Sequence, residues 1–127
     1  MSFIFIFLFM IFCHIVDDFY LQGILAKLKQ KSWWNENISD SFYKYDYIVA
    51  LILHSFSWTF MIMLPIAIYY NFQCNGIFVY YFIFNMLCHI FIDNAKANKK
   101  DINLIIDQSC HLWQIIITFL VLIIGGK

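Results

Sequence analysis

Four long apolar runs fill most of this 127-residue chain, separated by a lysine-bearing stretch, a short uncharged turn and a second lysine cluster. About 20 apolar residues in helical conformation cross the hydrocarbon of a bilayer. The runs therefore predict helices over about 2–27, 46–70, 77–95 and 102–124, forming a single membrane domain, 1–127. The predicted fold is all-α: an integral membrane four-helix bundle. Residues 28–45 mix Trp33, Trp34, Tyr43 and Tyr45 with lysines, a composition suited to the headgroup region. They are expected to form an interfacial loop, with a substrate-gripping lid as the lesser reading. Pro65 falls inside the second run and is expected to kink or weaken its outer half.

Polar residues interrupt the runs in a regular way. His14, Asp18 and Gln22 are spaced i, i+4, i+8 in the first, and Asn85, His89 and Asp93 repeat that spacing in the third. The fourth carries Asp107 and His111, again four apart, with Asn103 and Gln114 on the same face. Residues at this spacing stack one turn above another on a helix. The second run contributes His54 alone, with Ser57 on its face. Asp17 lies about 100° around the helix from the first stripe. It is expected to be a second ligand, a supporting partner or an interfacial carboxylate.

Ionisable groups within hydrocarbon are costly and by default mark a functional site. At 1.5 Å per residue, the four histidines lie about 10–15 Å in from the lysine-bearing surface. One His from each helix, and an Asp from three of them, should therefore meet at one level. Cys-His-x3-Asp followed by a His, then Cys-His-x3-Asp followed by Asp-x3-His, also predicts a duplicated helical hairpin.

Composition agrees with a lipid environment. Hydrophobic residues make up 63% of the chain and charged residues 13%, and mean hydropathy is +0.75. Net charge is zero and every basic residue is a lysine, confined to two loops and the C-terminus. No basic face exists for nucleic acid. The four cysteines show no CxxC spacing, so no disulfide framework is indicated. The first run lacks a basic flank and an A-x-A-like site, and is read as a permanent helix. With four spans both lysine-bearing loops share one side. The positive-inside rule places them in the cytoplasm and both termini outside, in the inner (cytoplasmic) membrane.

Imidazole and carboxylate together suit a divalent transition metal. The predicted ligands are His14, Asp18, His54, His89, Asp93, Asp107 and His111, holding one or two ions of Zn, Fe or Mn, with His54 at the edge. Asp18, Asp93 and Asp107 are the candidate catalytic carboxylates. Cys13, Cys88 and Cys110 sit about 100° from their neighbouring histidines and are expected to pack between helices. Three functions fit: a metal-dependent hydrolase acting on a lipid or lipid-linked phosphate, a metal-ion or proton transporter, or a non-catalytic membrane partner. The outer half of the chain (Phe3–Phe12, Met61–Tyr70, Ile116–Ile124) is almost wholly apolar, which favours the first over a path through the bilayer.

His14-x3-Asp18-Phe19-x-Leu21-Gln22, then His54, His89-x3-Asp93 with Lys96, and Asp107-Gln108-x2-His111 resembles a family of small bacterial and phage multi-spanning membrane proteins built on a domain of unknown function. The resemblance covers nearly the whole chain and supports the motif boundaries while implying no reaction. More distantly, the arrangement is similar to membrane-bound proteins described as metal-dependent hydrolases.

Overall fold

The computed structural model describes residues 2–126, and these are helical throughout apart from turns and caps. Six α-helices form in order: α1 (Phe3–Val16), α2 (Leu25–Leu28), α3 (Lys31–Asn37), α4 (Asp46–Tyr69), α5 (Gly76–Asn94) and α6 (Leu104–Phe119). With their flanking turns, four stretches are long and apolar enough to cross a bilayer: Phe3–Leu21, Ser41–Tyr69, Gly76–Lys99 and Leu104–Ile124. This is the make-up of a multi-pass membrane protein.

The long helices close into a ring, with α4 packed on α1 and α5, and α6 packed on α5 and α1. Their starts follow ordinary capping chemistry. The Ser2, Asn75 and Asn103 side chains each accept a backbone N–H from the first turn of α1, α5 and α6. Pro65 does not end α4, which runs unbroken for 24 residues. The first helix stops short of the expected Lys27. It finishes in a wide π turn, Asp17–Leu21, and Gly23 then adopts φ +49, a left-handed conformation that glycine takes without steric cost. A second π turn, Ala95–Lys99, extends α5 and ends at Lys100 with φ +59.

The bundle interior divides in two. One half is mainly apolar, with Ile6, Met10, Ile62, Met63, Ile66, Ile115 and Ile123 all buried. The other half, toward the lysine-bearing loops, is polar. Helices α2 and α3 lie across that end. Trp34 donates its indole N–H to Leu28 O at 2.7 Å and stacks on Tyr43. Asn98, in the turn after α5, ties the strap down: its amide donates to Lys29 O at 3.1 Å, and its Oδ1 accepts from Lys31 N at 2.7 Å.

Candidate metal centre

All seven residues expected from the spacing of His and Asp meet in the polar half of the bundle. His54 Nε2 is 3.5 Å from Asp18 Oδ1 and 3.3 Å from Asp93 Oδ2. His89 Nε2 is 3.7 Å, and His111 Nε2 3.6 Å, from Asp93 Oδ1. Asp107 Oδ1 is 3.4 Å from His111 Nε2. Two groups of three have donor atoms close enough to share an ion: Asp18, His54 and His89, and His89, Asp93 and His111. Asp93 is central, one oxygen turned to His89 and His111 and the other to His54.

The hydrogen bonds around two histidines fix their tautomers. The Gln114 amide nitrogen donates to Asn85 O at 3.1 Å, and a carbonyl can only accept. Gln114 Oε1 therefore faces His111 Nδ1, 3.2 Å away, which must carry a proton. In the neutral ring Nε2 is then a lone pair aimed at the carboxylates. His14 has the opposite arrangement. Trp58 Nε1 donates to its Nδ1 at 2.8 Å. Gln108, whose amide nitrogen donates to Asp18 Oδ2 and Asp107 Oδ2, offers Oε1 to its Nε2 at 3.1 Å. Both partners require the proton on Nε2. His14 thus has both nitrogens engaged, and it orients Gln108, which in turn positions two carboxylates.

His54 stands at the middle of the cluster instead of its edge. Helix α4 passes beside the π turn, and Asp17, 100° away from the first stripe, faces α4 for that reason. Asp17 Oδ1 accepts from Ser57 Oγ at 2.5 Å, and Oδ2 faces His54 Nδ1 at 3.7 Å. A carboxylate behind one nitrogen directs the other toward a metal. Asp17 therefore stands behind His54, buried and held by Ser57.

Three further contributors stand outside the seven expected ligands. Trp58 is fully buried and stacks on His89 with ring centroids 4.3 Å apart. Lys29 reaches from the strap to Asp93 Oδ2 at 2.6 Å, and Lys96 to Asp107 Oδ2 at the same distance. The cysteines stay out of the donor groups: Cys13 is buried, Cys88 and Cys110 are partly so, and all are free thiols.

The cluster is dense in unpaired groups. Among the described residues, His54 and His89 have no hydrogen-bond partner on either ring nitrogen, and Asp18 Oδ1, Asp107 Oδ1 and His111 Nε2 have none either. Buried polar atoms left unpaired cost about 1–3 kcal/mol each. Here they converge on one another. Four carboxylates against two lysine ammoniums also leave a formal excess of two negative charges, which one divalent ion would balance.

A family model described as "Protein of unknown function (DUF3307)" matches residues 5–126 of the chain. Among curated proteins and among solved structures, none matches.

Proposed function

We propose that this chain, which belongs to the DUF3307 family, holds one or two divalent transition ions (zinc, iron or manganese) within the membrane and acts as a metal-dependent hydrolase. The first-line ligands are His54, His89 and His111 with Asp18, Asp93 and Asp107. His14 and Asp17 orient them.

The observation that carries this reading is the meeting of His111 Nε2 with Asp93 and Asp107 oxygens at 3.4–3.6 Å, where that nitrogen has no hydrogen-bond partner. With the ring neutral, three acceptors face each other there and a cation would hold them together. A proton on His111 would serve for that contact alone. His54 and His89 bring two further unpaired imidazoles to Asp93, a donor set typical of metal centres in helical bundles.

The hydrolytic part rests on access. Asp18, Asp93 and Gln108 line a cavity of about 380 Å³ that opens at the lysine-bearing end. Behind the histidines the bundle is closed by Ile62, Ile66 and Ile115. Such a site works from one face, whereas a transporter needs a polar path through both halves. A divalent ion held by these residues would supply an acidified water at neutral pH, and Asp18 is the ligand carboxylate on the cavity wall, where a substrate would enter. The lysine-bearing loops, read by the positive-inside rule, put both termini outside a cytoplasmic membrane.

Ester hydrolysis by purified protein, abolished by a chelator and restored by adding back the ion, tests the reading. A fully metal-loaded protein inert toward phosphate and carboxylate esters alike would remove the hydrolase assignment and leave the metal site standing.

A further inference from the structure

Lys29 is an unusual lysine. It belongs to the interfacial strap, yet its side chain is only 11% exposed and its ammonium is inserted between helices against Asp93. Lys96, with a side chain 36% exposed, holds Asp107 at the same 2.6 Å. Both line the 380 Å³ cavity, and Lys100, exposed at its rim, makes a third. The carboxylates these ammoniums hold are the ones assigned above as ligands. Lys29 and Lys96 therefore stand where a metal's charge would be partly duplicated once it bound Asp93 and Asp107.

Formal charge shows what that arrangement selects. Asp17, Asp18, Asp93 and Asp107 contribute four negative charges and the three lysines three positive ones. One divalent ion offsets the two charges left beside Lys29 and Lys96, so Lys100 at the rim makes the opening positive by one, and a second ion makes it more positive still. Either way the group completed by this opening is an anion. Three ammoniums and a metal face it, and Lys suits phosphate as a point charge. A phosphate monoester has three terminal oxygens to offer these partners, while a carboxylate has two.

The rim is apolar as well as charged. Phe19 and Leu104 line the same cavity and are 57% and 53% exposed. Both belong to stretches apolar enough to lie in a bilayer. Acyl chains can lie along these side chains while a headgroup enters between the lysines.

We propose, on the footing of the metal reading above, that the cavity binds a phosphate ester through Lys29, Lys96 and Lys100, and that the phosphate is carried on a lipid. The test is calorimetric titration of the full-length, metal-loaded protein in detergent with three probes: dihexanoyl phosphatidic acid, dihexanoylglycerol and inorganic phosphate. Metal content is measured in every sample. Phosphatidic acid should bind about tenfold or more tighter than dihexanoylglycerol, the loss expected when charge-assisted hydrogen bonds are removed. Lys100→Gln, a change at an exposed position, should weaken phosphatidic acid binding about tenfold with metal content unchanged. Lys29→Arg should bind better than Lys29→Gln. Inorganic phosphate binding as tightly as the lipid would keep the phosphate class and make its source soluble, overturning the lipid part. Equal binding of phosphatidic acid and dihexanoylglycerol, or an indifferent Lys100→Gln, in protein that retains its metal would overturn this inference alone. Absence of metal from the wild-type protein would overturn the metal reading and this inference with it.

Discussion

Trp58 donates its indole N–H to His14 Nδ1 across 2.8 Å, and that bond occupies the lone pair this nitrogen would offer a metal. The other nitrogen meets Gln108 Oε1. Of the four histidines, His14 is thus the one with its hydrogen-bonding capacity met by protein. His14→Gln should leave the protein with full metal content and lower metal affinity by about tenfold, the usual scale for residues that act through a ligand. His89→Gln should abolish binding. Metal titrations of both variants check the contrast, and equal losses would show His14 to be a direct ligand.

Trp58→Phe keeps a ring against His89 but removes the donor to His14. An unpaired buried nitrogen should lower stability by about 1–3 kcal/mol, read as a lower melting temperature, without loss of metal. Full loss of metal would mean that the indole positions His89 more strongly than its stacking implies.

His54 has no carboxylate one turn away on its own helix, so sequence spacing makes it the most dispensable histidine. Asp17, supplied by the neighbouring helix and held by Ser57, changes that expectation. His54→Gln should be as damaging to metal binding as His111→Gln. Asp17→Asn should cost about 10–100-fold in affinity, with Ser57→Ala milder. An Asp17→Asn protein with wild-type affinity would place the carboxylate in a purely structural role.

The sequence makes the i, i+4 pairs legible because one helix carries both partners, and a helical period of 3.6 suffices to align them. That is why His89 with Asp93, and His111 with Asp107, were readable, as were the four spans themselves. What escapes depends on contacts between helices. Trp58 has the same appearance as any core aromatic until α1 brings His14 to its indole. Asp17 acquires a role only because α4 packs beside the π turn. Lys29 follows a path set by Gly23 and by Asn98, neither of which has a periodic signature, so its insertion into the site could not be read from the interfacial stretch.

Topology is checked by labelling. Cys74 lies exposed in the turn between α4 and α5, and Ser39 is exposed in the strap. An impermeant maleimide applied to intact cells should label Cys74 in the native chain and fail to label Ser39→Cys in a Cys74→Ser background. The reverse pattern would invert the orientation drawn from the lysines.

The most direct test is elemental analysis of the detergent-purified protein, paired with thermal unfolding in the presence and absence of a chelator. A metal bound only by the folded state adds stability by mass action. The predicted result is at least one equivalent of zinc, iron or manganese per chain, a melting temperature lowered by chelation and restored by the ion, and neither property in His111→Gln. Well-folded protein without metal, and indifferent to chelator, would contradict it: the cation between His111 and its carboxylates would then be a proton.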